Sequence, residues 1–311
     1  MDPHGHAPAN SGKLTPEQAR LMRLASIAST AVAIVLIAGK SVAWWMTDSV
    51  SLLSTLLDSS LDLLASLVTL ISVRHALVPA DREHRFGHGK AEALAGLVQS
   101  GFIGASAIWL LISAGQRIHA PQPVTQETVG YVVMAGSIAL TLGLVLFQRA
   151  VISRTASMAI GADHLHYKSD LLTNAGVIVA LVLSSRFGLS IADPIIAGLI
   201  GLYILKSAAD IAVGAYNVLM DRELPEEERE KIKAIVRAHP QVRDLHDLRT
   251  RSSGMTTFIQ LHMELDPEMT LAAAHVVGDE VEDAIRREFP GAEIIVHQDP
   301  EGVAEPRATF G

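Results

Sequence analysis

The sequence predicts a membrane protein: an all-α bundle of six helices followed by a small cytoplasmic α+β domain of order α-β-β-α-β. Two observations lead to this fold class. Of the 311 residues, 49% are hydrophobic, and the mean hydropathy is +0.32, values that soluble domains rarely reach. The apolar residues are also concentrated in the first two thirds of the chain, whereas the last third is densely charged.

Six apolar runs are expected to cross the bilayer. They cover residues 24–46, 51–78, 91–118, 128–147, 157–183 and 191–213. Each has at least the roughly 20 residues that a helix needs to span the hydrocarbon core. Turn-forming residues separate several of them, at 47–49, 79–81, 121–123 and 186–188.

The positive charges near the predicted spans indicate the orientation. If the N-terminus is inside, the cytoplasmic side holds eight lysines and arginines: Lys13, Arg20, Arg23, Arg82, Arg85, Lys90, Arg149 and Arg154. The outer side holds two, Arg117 and Arg186. Because cytoplasmic loops carry the excess of such residues, both termini are expected in the cytoplasm. No signal peptide is expected at the polar N-terminus.

In the charged last third, predicted helices and strands follow one another in an order typical of a small two-layer domain. Helices are predicted over 225–239 and 271–289, and strands over 242–251, 256–265 and 293–297. The expected organisation is a mobile N-terminal segment (1–20), a transmembrane domain (21–214), a cytoplasmic metal-binding domain (215–300) and a mobile tail (301–311).

Composition excludes several kinds of site. The chain has no cysteine, so neither a disulfide framework nor a thiolate metal site is available. It also lacks a basic tract, and its net charge is −8, so no nucleic-acid partner is expected. Thirteen histidines remain as the nitrogen donors for a metal.

Two pairs of ionisable residues lie inside predicted spans. Asp58 and Asp62 are four apart in the second run, and His166 and Asp170 are four apart in the fifth. This spacing places each pair on one helix face. Because an ionisable group in the bilayer costs several kcal/mol (about 2.5 or more) unless it is paired or hydrated, such groups are functional candidates. A set of three carboxylates and one imidazole suits a d¹⁰ divalent ion. The alternative is that the aspartates make helix–helix hydrogen bonds or line a pore.

The motifs around these residues resemble those of the cation diffusion facilitator family. The resemblance covers about residues 20–300. It is carried by Asp58 to Asp62, by the Phe86-Gly87-His88-Gly89-Lys90 element, by His166 to Asp170, by His246 to Arg251, and by Val296 to Pro300.

The resemblance implies a proton-coupled exporter that works by alternating access, a homodimer in a bacterial-type inner membrane, and not an enzyme. It implies a transport site between the second and fifth helices, with zinc as the expected metal and iron(II) or cadmium as alternatives. Its ligands would be Asp58, Asp62, His166 and Asp170. Structural zinc would bind a loop site at Asp81, His84 and His88. A binuclear site in the metallochaperone-like cytoplasmic domain would use His246, His262, His275, His297 and Asp299. A charge interlock between subunits maps onto Lys90 and Asp221.

From the residues alone, other interpretations stay open. The loop residues can be simply solvated, and the cytoplasmic histidines can be scattered surface residues. A membrane metal sensor, or a membrane-embedded metalloenzyme, would also carry metal ligands. An enzyme needs an open coordination position and usually a nearby base, and no His-Glu-x-x-His helix is present.

Overall fold

The computed structural model describes residues 15–47, 50–119, 128–187, 191–254 and 256–303. The chain divides between Tyr216 and Asn217 into two compact units, a membrane unit and a C-terminal unit. The predicted breaks at 48–49, 121–123 and 188, and most of the two termini expected to be mobile, lie outside the described residues. The domain bounds expected from the sequence therefore stay predictions.

The membrane unit consists of six long helices, as predicted. They are α1 (Pro16–Thr47), α2 (Val50–Ala76), α3 (Lys90–His119), α4 (Thr128–Thr155), α5 (Met158–Phe187) and α6 (Ala192–Leu219). Among the described residues, four helices are long and apolar enough to span a membrane: α1, α3, α4 and α6. The other two, α2 and α5, have 27 and 30 residues and carry the predicted transport ligands.

Apolar side chains cover the outside of the membrane unit as well as its interior. Trp45, Trp109 and Leu199 are 83%, 72% and 64% exposed. Extensive apolar exposure is unusual for a soluble protein and suits contact with lipid. Inside, Ile103 of α3, Leu165 of α5 and other small apolar residues form a core that joins α3, α5 and α6.

Buried polar contacts connect the helices. The Glu92 carboxylate of α3 accepts hydrogen bonds from Ser157 Oγ (2.8 Å) and Met158 N (2.9 Å), and so caps the first turn of α5. Fully buried Asp163 of α5 accepts bonds from Gln148 Nε2 of α4 (2.7 Å) and Ser66 Oγ of α2 (3.5 Å). These bonds compensate the desolvation of the carboxylates inside the bundle.

The C-terminal unit has the predicted order α-β-β-α-β. Its elements are α7 (Glu226–Arg237), β1 (Asp244–Ser253), β2 (Thr256–Leu265), α8 (Leu271–Glu288) and β3 (Glu293–Pro300). The sheet order is β1-β2-β3, with β1 antiparallel and β3 parallel to β2. The core lies between this sheet and the two helices, and it includes Ile259, Leu261, Val281 and Ile285.

Several elements extend beyond the predicted limits, α4 and β3 among them. Helix α4 continues to Thr155, past the apolar run that ends at residue 147. A helix does not stop at the membrane boundary, because its backbone bonds continue into water, so hydropathy marks the span and not the helix end. Strand β3 continues to Pro300 because its pairing with β2 lasts as far as Leu265.

Candidate metal centres

Three of the four predicted transport ligands meet between α2 and α5. His166 Nε2 lies 2.8 Å from Asp62 Oδ1 and 3.9 Å from Asp170 Oδ2. One donor atom from each of these residues lies within 4.8 Å of the others. The i,i+4 spacing on α5 places His166 and Asp170 on one face, and the packing of α2 against α5 brings Asp62 opposite them.

Asp58 lies outside this three-residue group but lines the same cavity. The cavity has a volume of about 750 Å³, and all four predicted ligands contribute to its wall. Asp58 lies one helical turn from Asp62 on α2 and therefore on the same face of that helix.

Lys40 of α1 also lines this cavity, and the sequence did not mark it as functional. Its Nζ donates a 2.6 Å hydrogen bond to Ser59 Oγ, next to Asp58. A lysine within about two turns of the end of an apolar run is ordinarily expected to extend to the membrane surface. Here its ammonium group lies in the wall of a cavity that three aspartates also line.

The second group occupies the loop between α2 and α3. Asp81 Oδ1 lies 3.4 Å from His84 Nδ1, and Asp81 Oδ2 lies 3.4 Å from His88 Nε2. Asp81 and His84 are exposed, whereas the His88 side chain is almost completely buried. The three residues form a group with donor atoms within 4.8 Å of one another.

Backbone geometry forms this loop. The N–H groups of Glu83 and His84 donate to Asp81 Oδ1 at 2.9 and 2.6 Å. The His84 N–H, above all, lowers the pKa of the Asp81 carboxyl, because hydrogen bonds to the charged form stabilise it. Gly87 has a φ of 77°, which lets the chain turn between the two histidines. His88 Nδ1 lies 3.3 Å from Val78 O, which directs Nε2 toward Asp81.

A further histidine adjoins the loop group. The ring of His75, in the last turn of α2, lies edge-on to the ring of His88 with 4.6 Å between centroids. His84 and His88 have the same centroid separation of 4.6 Å. The sequence assigns no site to His75, because a histidine at the end of an apolar run is interpreted as an interface or surface residue.

The third group lies on the sheet of the C-terminal unit. His262 of β2 is in register with His246 of β1 and with His297 of β3, so three histidines form one row across the sheet. Side chains alternate along a strand, and the neighbours Leu261 and Met263 belong to the core against the helices. The histidine row therefore faces away from α7 and α8.

Asp299 is the centre of this row. Its carboxylate, 6% exposed, has Oδ2 2.8 Å from His262 Nδ1 and 3.5 Å from His246 Nε2. Its Oδ1 lies 2.9 Å from His297 Nε2. The group with donor atoms within 4.8 Å comprises His246, His262 and Asp299, and His297 is exposed at its edge.

The ring nitrogens of His246 are suited to bind a metal. Within the described part of the chain, neither of its buried ring nitrogens makes a hydrogen bond of acceptable geometry, although Nδ1 lies 3.1 Å from Glu264 Oε1. The contact with Glu264 is misdirected, and a misdirected contact satisfies a donor poorly. A β-bulge follows His246, and Asp247 there has a φ of 48°. Such bulges reorient side chains beside functional sites.

His275 and the interlock residues are not brought into these groups. His275 of α8 is 66% exposed and lies 3.7 Å from Asp279, away from the histidine row. Lys90 begins α3 in the membrane unit, and Asp221, with a φ of 54°, belongs to the C-terminal unit. The roles expected for all three depend on a second subunit, and they stay predictions.

The donor sets fit zinc. Imidazole nitrogens and carboxylate oxygens, without sulfur, are ligands that zinc accepts in tetrahedral sites. The unsatisfied nitrogens of His246 and the imidazole–carboxylate contacts in all three groups point to the same chemistry.

Comparison with known proteins gives matches over nearly the whole chain. The model of the cation efflux transmembrane domain matches residues 26–220, and that of the cation efflux protein cytoplasmic domain matches residues 224–301. The cation-efflux pump FieF of Pectobacterium atrosepticum is 50% identical over 287 residues, 92% of this chain and 95% of that protein. FieF of Yersinia enterocolitica is 47% identical over 290 residues, 93% and 96% of the two chains.

Among solved structures, the metal-bound C-terminal domain of the CzcD transporter from Thermotoga maritima is similar. It is 25% identical and has a TM-score of 0.25, covering 25% of this chain and 93% of that one.

Proposed function

The chain belongs to the cation efflux family, and on this premise we propose that it exports divalent transition-metal ions, zinc first among them, in exchange for protons. Family membership makes it a membrane transporter with a cytoplasmic C-terminal domain, and not an enzyme. The choice of ion and the coupling to protons are the proposed part.

The observation that carries the proposal is the group formed by Asp62, His166 and Asp170. Two carboxylates and one imidazole converge inside a cavity between membrane helices. Asp58, in the wall of the same cavity, supplies the fourth ligand when its side chain turns inward. Four ligands close a tetrahedral shell for the transported ion.

Competition between metal and protons follows from this donor set. A metal requires a neutral imidazole and ionised carboxylates, so binding releases protons and protons displace the metal. The 2.8 Å contact of His166 with Asp62 supports this exchange, because the metal-free pair can hold a proton between the atoms that would bind the ion. Alternating exposure of the cavity to the two sides would then convert an inward proton gradient into metal export.

The two remaining groups are proposed to hold resident zinc. Asp81, His84 and His88 would hold one ion in the loop, and the histidine row with Asp299 would hold zinc in the cytoplasmic domain, where His275 would complete the set in a homodimer. Resident zinc would cross-link the segments that supply its ligands. The proposed location is a bacterial inner membrane with both termini in the cytoplasm, in keeping with the distribution of lysine and arginine in the loops.

Zinc flux in proteoliposomes tests the proposal. Asp62→Ala and Asp170→Ala are each expected to abolish zinc flux, because each removes a charged ligand. Asp210→Asn is the matched control, since it removes a carboxylate of α6 that is 68% exposed and paired with Lys206. Flux that persists in the Asp62 and Asp170 variants would exclude this group as the transport site, and flux that ignores a collapsed pH gradient would exclude antiport. A pure metal sensor would show no flux at all.

A further inference from the structure

The loop group is one ligand short of the shell that a structural zinc site normally has. Three residues supply one donor each, whereas structural zinc is almost always bound by four protein ligands. A site with only three would leave a position for water in an exposed loop.

His75 lies beside this group and is a candidate for the fourth ligand. Two imidazoles on one tetrahedral zinc, with Zn–N bonds of about 2.0–2.1 Å, have ring centres roughly 5 Å apart. The rings of His75 and His88 are 4.6 Å apart, the same separation as in the His84–His88 pair. His88 therefore has an imidazole on either side of it at the spacing of co-ligands.

The two flanking histidines differ from His88 in exposure. His88 is buried and oriented by its contact with Val78 O, whereas His75 and His84 are exposed. His75 is not among the residues whose donor atoms lie within 4.8 Å of one another, so its ring must turn to reach the ion. An exposed side chain at a helix end can change rotamer at little cost.

We propose that the loop site is a closed, four-coordinate site in which the fourth ligand is His75. The inference rests on the proposed binding of zinc by the loop. The ion would then join the last turn of α2 directly to the segment that leads into α3, and the site would be structural in type. The competing explanation is that His75, beside Arg74 in the last turn of α2, interacts only with the C-terminal end of the helix dipole.

The experiment uses the full-length chain with the other two sites removed. Asp62→Ala and Asp170→Ala remove the transport group, and His262→Ala and Asp299→Ala remove the cytoplasmic group. This parent is loaded with cobalt(II), whose visible absorption is strong in four-coordinate tetrahedral sites and weak in sites with more ligands. Zinc affinity is measured by competition with a chromophoric chelator.

In this parent, His75→Phe keeps an aromatic ring beside His88 but removes the donor. We expect its cobalt bands to fall steeply and its zinc affinity to drop about ten- to a hundredfold, the range typical when a metal site loses a supporting group. Arg74→Gln, the neighbouring residue, is expected to leave both unchanged. A His75→Phe protein with the spectrum and affinity of the parent would overturn the proposal.

X-ray absorption spectroscopy of the zinc-loaded parent counts the imidazole ligands without any variant at position 75. Three imidazoles and one oxygen are expected, and two imidazoles would overturn the assignment of His75. A parent that binds neither cobalt nor zinc would refute metal binding by the loop itself, and His75 with it. Export through the transport site would still be decided by the flux assay.

Discussion

Asp299→Asn offers a sharp test of the cytoplasmic site, because one buried carboxylate contacts three histidines. The substitution keeps the size of the side chain and removes its charge. Asp299 Oδ2 lies 2.8 Å from His262 Nδ1, and Oδ1 lies 2.9 Å from His297 Nε2. In the group formed with His246 and His262, Asp299 is the sole anionic donor.

The expected loss can be bounded from related sites. Removing a residue that merely supports a metal ligand weakens binding about ten- to a hundredfold. Loss of the anionic ligand itself should exceed this, so the zinc dissociation constant should rise more than about a hundredfold, or about 2.7 kcal/mol. At a zinc concentration of 100 times the original dissociation constant, stabilisation of the folded domain by zinc should fall from about 2.7 to about 0.4 kcal/mol.

The assay is a chelator competition on full-length protein whose loop and transport sites have been removed. Asp244→Asn is the matched control, because Asp244 also lies on the sheet but is 57% exposed and paired with Arg237 at 3.8 Å. An Asp299→Asn protein that binds zinc as tightly as the Asp244→Asn control would refute the assignment of Asp299 as a ligand.

Four further outcomes are expected. Lys40→Gln removes a positive charge from the transport cavity, so zinc should bind there about tenfold more tightly in a chelator competition. Glu92→Gln weakens the cap on α5 and should lower the free energy of unfolding of the membrane unit by about 1–2 kcal/mol in a detergent–denaturant titration. Ile285→Ala empties a fully buried core position and should cost about 2–5 kcal/mol, measured by native-state hydrogen exchange of α8. Because the pKa of Asp81 is lowered in the folded loop, its ionised carboxylate stabilises the loop fully at pH values above the usual aspartate pKa. This stabilisation is lost only as the pH falls through the lowered pKa. In metal-free protein the His84 amide should therefore stay protected from exchange when the pH falls from 7 to 5, and should lose protection in Asp81→Ala.

Three exposed positions of the same chain supply control variants. Lys206→Gln removes an exposed lysine of α6, Glu83→Gln removes an exposed loop carboxylate, and Val276→Ala truncates an exposed residue of α8. Unchanged zinc affinity in Lys40→Gln would contradict an electrostatic role in the cavity. Equal stability losses in a core variant and its surface control would contradict the packing described for that region.

The sequence predicted the order and type of the elements well, because hydropathy reports burial and lipid contact directly. It predicted element ends less well: hydropathy did not reveal that α4 continues to Thr155. The parallel pairing of β3 with β2 was also out of reach, since nothing in the sequence of a short strand states its neighbour's direction.

Spacing was informative where both residues lay on one element. The i,i+4 pairs on α2 and α5 predicted which residues share a face, and the structure brings Asp62, His166 and Asp170 together. Lys40 escaped prediction because it reaches the cavity from another helix, at a distance set by packing rather than by periodicity. His75 escaped prediction for a similar reason, since the turn of the loop brings His88 beside it.

The alignment of the histidine row has a consequence for the assembly of the sheet. A one-residue slip of a strand turns every one of its side chains to the opposite face. Such a slip of β1 or β3 would carry His246 or His297 away from His262 and leave no place for zinc. Because a ligand stabilises only the form that binds it, intracellular zinc would discriminate between correctly and incorrectly paired domains. Zinc would thus favour the correctly paired form of the domain that binds it.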